Sequence, residues 1–291
     1  MLHPPTPSHI TLDNISHLYK GIEVSILRLD KLHPVISGNK WYKLRYYLEE
    51  ATAQHKKGIV TFGGAWSNHI LATAAACQLQ GLASIGIIRG EEPADWSSTL
   101  LQAKELGMQF IFISREEYRD KKLPENISND YYVVNEGGYG KTGAKGAAGI
   151  IDGYNNNFTH YCCAVGTGTM IAGLINAAAG QKITGISVMK NNKQLPELIQ
   201  TLVQSRDTEW EVLHDYHFGG YAKYEPRLLQ FMNDFYRNTG IPSDFVYTGK
   251  LFYAVNDLIG KDYFPAHSKI LVVHSGGLQG NASLHKGTLM F

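Results

Sequence analysis

No run of apolar residues in this 291-residue chain is long enough to span a bilayer. The opening MLHPPTPSHI lacks the basic and apolar stretches of a secretion signal, so a cytoplasmic location is expected. Charge of one sign is missing too. The 27 Lys+Arg against 26 Asp+Glu leave a net +1, and no global field favours nucleic acid, a membrane surface or an acidic partner. Cysteine is scarce. Cys77, Cys162 and Cys163 are odd in number and two are adjacent, a poor disulfide framework. They read as small buried hydrophobes in a reducing compartment. The 12 histidines show no HExxH or similar spacing, so no metal site is expected. Repeats and low-complexity tracts are absent.

What remains is an ordinary enzyme composition, 44% hydrophobic and 18% charged, enough for a core without staples. Short runs rich in Ile, Val, Phe and Tyr predict strands at Glu23–Arg28, Gly58–Phe62, Ala83–Arg89, Gln109–Ser114, Tyr131–Asn135, His160–Val165, Thr184–Met189, Glu211–His214 and Lys269–His274. Helical periodicity falls between them, at Trp41–Gln54, Asn68–Leu79, Ser97–Leu106, Thr169–Ala179, Gln194–Val203, Glu225–Thr239 and Lys250–Ile259. Such alternation predicts an α/β fold with open, mostly parallel twisted sheets covered by helices on both faces. Two units are expected: a smaller one over 45–150, and a larger one from 1–44 together with 151–291. The polar stretch Asp152–Phe158 is the expected crossing between them.

Ligands in open parallel sheets bind beyond the carboxyl ends of strands, so the loops there come first. Gly166-Thr167-Gly168-Thr169 lies between the run YCCAV and a helix. It reads either as a phosphate cup, with free N–H groups and a helix dipole, or as a threonine-capped turn. The dinucleotide fingerprint is excluded because Ile171 stands where its third glycine belongs, and no Gly-Lys-Ser/Thr follows for a P-loop. Gly63-Gly64-Ala65-Trp66-Ser67-Asn68-His69 likewise offers two readings, a helix N-cap or a grip for a carboxylate. Glu136–Gly140 and Ser275–Gly277 read first as glycine turns. Lys40, in Gly38-Asn39-Lys40, sits at a helix start, the end that repels cations. Lys43, one turn on, reads as a surface residue.

The ordered set Gly38-Asn39-Lys40, Gly63-Gly64-x-x-Ser67-Asn68-His69, Gly166–Thr169, Tyr247-Thr248-Gly249-Lys250 and His274–Gly277 resembles the 1-aminocyclopropane-1-carboxylate (ACC) deaminase / D-cysteine desulfhydrase family. No one of these motifs is specific; the ordered five, spanning nearly the whole chain, are. The family consists of pyridoxal 5'-phosphate (PLP) enzymes of the tryptophan synthase β-like fold, fold type II, with the cofactor in the cleft between domains. The resemblance implies that Lys40 holds PLP as a Schiff base and later takes the Cα proton as general base. It implies that Asn68 bonds the phenolic oxygen, and that Gly166, Thr167, Gly168 and Thr169 hold the phosphate. It implies that Ser67 and the following N–H groups of Asn68 and His69 grip the substrate carboxylate, and that Tyr247 and Tyr221 serve catalysis. The match at Tyr221 is the looser one, because Tyr224 lies three residues on.

Two positions bear on the substrate. ACC deaminases carry Glu where this chain has Thr248, as the D-cysteine desulfhydrases do, and Ser275 is the other residue that can face the pyridine nitrogen. A hydroxyl there leaves the ring a weaker electron sink, which suits elimination of a good leaving group. Trp66 replaces a smaller or amide residue and is expected to narrow the pocket. The reading is α,β-elimination from a small amino acid, with D-cysteine giving pyruvate, sulfide and ammonia, by a homodimer. The alternatives are an ACC deaminase giving 2-oxobutanoate and ammonia, and a non-catalytic PLP or amino-acid binding protein, which would need no Schiff-base lysine.

Overall fold

The structure, a computed structural model, describes residues 5–125, 127–154, 157–204 and 207–291. Asn155 and Asn156 of the expected crossing stretch, and the first four residues, lie outside these.

Two sheets make the frame. The larger has six strands, β1 (Leu12–Asn14), β2 (Glu23–Arg28), β7 (His160–Val165), β8 (Lys182–Ser187), β9 (Trp210–Leu213) and β10 (Lys269–His274), in the order β1-β2-β10-β7-β8-β9. The smaller has β3 (Gly58–Gly63), β4 (Ala83–Arg89), β5 (Gln109–Ile113) and β6 (Tyr131–Val134), in the order β5-β4-β3-β6. All pairings are parallel except β1 with β2. Both faces of β7 are buried, which is why HYCCAV reads as an unbroken apolar run rather than an alternating one.

The helices are α1 (Asn39–Ala53), α2 (Asn68–Gln80), α3 (Ser98–Glu105), α4 (Arg115–Arg119), α5 (Lys141–Ala148), α6 (Thr169–Ala177), α7 (Leu195–Gln200), α8 (Pro226–Thr239) and α9 (Thr248–Gly260). Local chemistry sets several of their ends. Ser67 caps α2 and Gly81, at φ +67°, closes it in the left-handed conformation. Ser114 and Glu117 form a capping box that supports the short α4.

Three elements were not expected from sequence: β1, α4 and α5. The segment KTGAKGAA of α5 carries two glycines, which lower helix propensity. Packing demands them. A Cβ on Gly143 would lie 2.1 Å from the Gly138 carbonyl, and one on Gly146 would lie 1.9 Å from that of Tyr42. Strand β8 starts two residues earlier than its apolar pattern suggests, because His160 of β7 pairs with Lys182. Among the described residues, no helix is long and apolar enough to cross a membrane. All three cysteines are free and buried.

Candidate active site

The carboxyl ends of β3, β4, β6, β7 and β10 converge on a cavity of about 1210 Å³. Its wall includes Lys40, Ser67, Asn68, the Gly166–Gly168 loop, Tyr221, Tyr247 and Ser275, so five separated motifs meet at one place.

Lys40 enters from the first turn of α1. Its position rests on Gly38, at φ +66°, where a Cβ would lie 1.8 Å from the Ser275 carbonyl oxygen. The Asn39 N–H donates to that same oxygen at 3.2 Å, so the lysine loop and the serine loop are locked backbone to backbone. The Lys40 ammonium donates to Asn39 Oδ1 at 2.7 Å and lies 5.9 Å from the Tyr247 ring centre. Burial pulls its pKa down to about 8, opposed by the nearby Asp244 carboxylate. An amine so shifted has an accessible neutral form near neutral pH.

The loop after β7 has features that could receive an anion. Gly168, at φ +86°, precedes α6 with no side-chain cap, so the first N–H groups of the helix are left free. A Cβ on Gly168 would lie 2.7 Å from Ile199, and Gly166 lies under the Tyr247 ring. Thr167 lines the cavity, while Thr169 is fully buried beneath it and its hydroxyl meets that of Thr167 at 3.1 Å.

Lys43 corrects the sequence reading. It is a buried cavity residue, not a surface one, and its ammonium donates to the Gly137 carbonyl at 3.3 Å. Its burial follows from α5 and the Glu136–Gly138 turn, whose glycines approach its stem. Gly137 in turn touches Thr167, so this second ammonium shares a corner with the glycine-threonine loop. Burial, reinforced by repulsion from Lys40, holds its pKa well below the lysine range. Such a cation is costly unless an anion joins it. The Glu136–Gly140 segment is therefore cavity wall rather than a mere turn.

Around Ser67, the hydroxyl oxygen accepts the Ile70 N–H at 3.4 Å and keeps its own proton to donate. Asn68 Nδ2 donates to the Gly277 carbonyl at 3.4 Å, and its Oδ1 is buried with no partner. The His69 ring turns back under β3, where Nε2 meets Thr61 Oγ1 at 2.8 Å. That hydroxyl gives its single proton to the Val134 carbonyl, so Nε2 carries the imidazole proton. Burial and the two lysines keep the ring neutral. His69 therefore offers the cavity its backbone N–H rather than a charged ring. Trp66 is 43% exposed, which puts it at the mouth rather than across the pocket. Arg89, Arg115 and Lys121 also stand at that mouth, and Lys121 is paired with Glu136.

The two tyrosines meet hydroxyl to hydroxyl at 3.3 Å. Burial and the Tyr221 neighbour raise the Tyr247 phenol well above its usual range, so it stays protonated. Tyr224 packs edge-on against Phe245 and does not line the cavity. Thr248 also departs from expectation. It is fully buried, outside the cavity wall, and its hydroxyl donates to Asp244 Oδ2 at 2.6 Å while accepting the Asp244 N–H at 2.8 Å. Both uses of that oxygen are spent on the buried Asp244. Of Thr248 and Ser275, it is Ser275 that lines the cavity.

These residues fit PLP. A buried amine stands at the cavity wall for the aldehyde, and a free helix N-terminus with a buried ammonium beside it suits a doubly charged phosphate. The orphaned amide of Asn68 and the Ser275 hydroxyl offer polar partners to a ring. Among the described residues, no group of His, Cys, Asp and Glu could hold a metal ion.

Comparison with known proteins agrees. The family model for pyridoxal-phosphate dependent enzymes matches residues 2–276. A putative 1-aminocyclopropane-1-carboxylate deaminase of Thermotoga maritima is 30% identical over 95% of both chains. The bifunctional D-cysteine desulfhydrase/1-aminocyclopropane-1-carboxylate deaminase of Arabidopsis thaliana, a mitochondrial protein, is 31% identical over 96% of this chain and 78% of its own. The crystal structure of an ACC deaminase homologue superposes with a TM-score of 0.80 at 28% identity, covering 96% of this chain and 93% of that one. A fungal L-serine ammonia-lyase from Rhizomucor miehei, at 12% identity and a TM-score of 0.68, shares the fold. The chain belongs to the pyridoxal-phosphate-dependent enzymes of fold type II, within the ACC deaminase / D-cysteine desulfhydrase family.

Proposed function

We propose that the chain is a lyase that eliminates hydrogen sulfide from D-cysteine, the released aminoacrylate then taking up one water to give pyruvate and ammonia. The observation that carries this reading is the cavity wall at Ser275, which offers a hydroxyl and no carboxylate. Among the described residues, Glu136 is the only Asp or Glu lining the cavity, and Lys121 holds it at 2.6 Å. When bound, PLP supplies an electron sink for the Cα electrons, and a hydroxyl neighbour makes that sink weaker than a carboxylate would.

Lys40 Nζ is the covalent attachment point. When not so engaged, the same amine would act as the base that takes the proton from the substrate Cα. Ser67 Oγ and the N–H groups of Asn68 and His69 hold the substrate carboxylate, and the glycines before them let the backbone approach. The Gly166–Thr169 loop and Lys43 hold phosphate. The protonated Tyr247–Tyr221 pair faces the leaving group and supplies its proton. A thiolate leaves readily, whereas a strained ring carbon with no Cα proton demands more of the sink. The same reading takes the assembly to be a homodimer, which light scattering checks.

The test is a panel of D- and L-cysteine, D- and L-serine and ACC, assayed for 2-oxo acid. D-Cysteine should exceed ACC in kcat/KM by roughly a hundredfold, a difference of a few kcal/mol in barrier. ACC turnover equal to or above that of D-cysteine overturns the reading in favour of an ACC deaminase. Visible colour without turnover of any of the five favours a binding protein.

A further inference from the structure

Lys250, in the first turn of α9, has no place in the chemistry above, yet it is completely buried. Its ammonium donates to two backbone carbonyls, that of His217 at 2.8 Å and that of Gly220 at 2.7 Å. No salt bridge engages it among the described residues, and the nearest acidic influence is Asp244. The segment it holds is contorted. Phe218, Gly219, Gly220 and Ala222 all have positive φ, at +50°, +91°, +122° and +52°. Two of these are not glycine, and such a conformation persists only where surrounding bonds impose it. The Gly220 N–H closes on the His217 carbonyl at 3.0 Å, and the Lys223 N–H closes on the Gly220 carbonyl at 3.1 Å. Each carbonyl thus accepts one backbone N–H and one ammonium N–H, so the loop is wrapped around the charge. Charge-assisted bonds of this kind are stronger than neutral ones.

The residue after Gly220 is Tyr221. Its ring meets that of Tyr247 edge-on at 6.0 Å. Tyr247 is the residue preceding α9, three before Lys250, so one helix end carries one tyrosine and grips the loop carrying the other.

We propose that Lys250 is a positioning residue whose buried ammonium gathers the His217 and Gly220 carbonyls and so holds Tyr221 against Tyr247 at the cavity. The inference rests on the functional reading above for the use made of Tyr221, but the clamp itself is testable without catalysis. Burial also pulls the Lys250 pKa down to about 8, opposed by the Asp244 carboxylate.

The experiment uses the holoenzyme and Lys250→Met, which keeps the stem and removes the donors. Three readouts are taken: visible absorbance of bound cofactor, tryptic cleavage after the exposed Lys223 under native conditions, and kinetics on D-cysteine. Absorbance should persist, cleavage after Lys223 should accelerate about tenfold or more, and kcat/KM should fall as far as in Tyr221→Phe. The double variant Lys250→Met/Tyr221→Phe should lose no more than either single one. Unchanged cleavage, or losses that multiply in the double variant, overturns the proposal. Should Lys250→Met fail to fold, Gly220→Ala decides alone. It places a Cβ at φ +122° and 3.3 Å from that of Lys190, loosening the same loop from its other side. Faster cleavage with absorbance kept supports the clamp, and unchanged cleavage overturns it. Wild-type protein that turns over no amino acid refutes the functional reading instead, and leaves the cleavage result to judge the clamp.

Discussion

Replacing Thr248 by valine is expected to disturb Asp244 before it touches the chemistry. Asp244 is fully buried, and its carboxylate accepts four bonds: from the N–H groups of Val246, Tyr247 and Thr248, and from the Thr248 hydroxyl. Valine has the shape of threonine but removes that hydroxyl donor and also the acceptor for the Asp244 N–H. A bond to a buried carboxylate is worth about 1.5–3 kcal/mol, and a stranded N–H costs about 1–3 kcal/mol. Taking the lower ends, the loss is about 2.5 kcal/mol, or roughly 4 °C in Tm for a chain of this size. Burial raises the Asp244 pKa and the Thr248 bonds oppose that rise, so valine raises it further. The deficit is therefore largest at neutral pH, where the carboxylate must be ionised, and shrinks as pH falls and Asp244 takes a proton. Thr248→Ser should stay near wild type. Thr248→Glu should be worse than valine, because it sets a second carboxylate against the first in a buried place. Denaturation at pH 5 and pH 7, followed by circular dichroism, reads these differences. A valine variant within about 0.5 kcal/mol of wild type refutes the reasoning. So does one that shifts the visible absorbance of the holoenzyme with stability untouched, since the hydroxyl would then face the cofactor.

Lys40→Met should stabilise the cofactor-free protein while abolishing the pyridoxyl label that borohydride reduction leaves on residue 40. The pKa falls from 10.5 to about 8, which at about 1.4 kcal/mol per unit is roughly 3 kcal/mol. The advantage is full below pH 8 and fades between 8 and 10.5, where the folded wild type sheds its proton first. Gly168→Asp, which puts a carboxylate in the anion loop at a positive φ, should give a protein without visible absorbance. A folded, coloured variant would show the loop misassigned. Lys43→Met should weaken PLP binding about 10- to 100-fold by equilibrium dialysis, the worth of one charge-assisted bond, while raising the stability of the cofactor-free chain. Unaltered affinity would remove Lys43 from the phosphate corner.

The strands were legible because a parallel sheet writes itself as short apolar runs, and the site was legible because its loops follow those runs. What stayed hidden depended on neighbours distant in sequence. Lys43 follows the polar side of the α1 pattern, and it is covered by α5, a helix with unfavourable glycines, and by the Glu136–Gly138 turn. Thr248 matched its motif, but the direction of a hydroxyl is set by what lies behind it, and nothing in the local sequence announces Asp244 as its partner. Tyr221 and Tyr224 could not be separated by pattern. The positive-φ turn that Lys250 secures sets one at the cavity, beside Tyr247, and leaves the other against Phe245.

The backbone contact between Gly38 and Ser275 has a consequence for how the protein is made. In the large sheet β2 has only β1 and β10 as neighbours, so the two earliest strands have no place to dock until the latest has been synthesised. The small sheet draws all its strands from residues 58–134 and can assemble while the ribosome is still working. Lys40 therefore emerges early and waits. Its loop takes its final form when β10 slots between β2 and β7 and brings Ser275 and Gly276 against Gly38. Pairings this distant along the chain form slowly. A chain that terminates short of β10 carries Lys40 without the Ser275 and Gly276 backbone against which its loop packs.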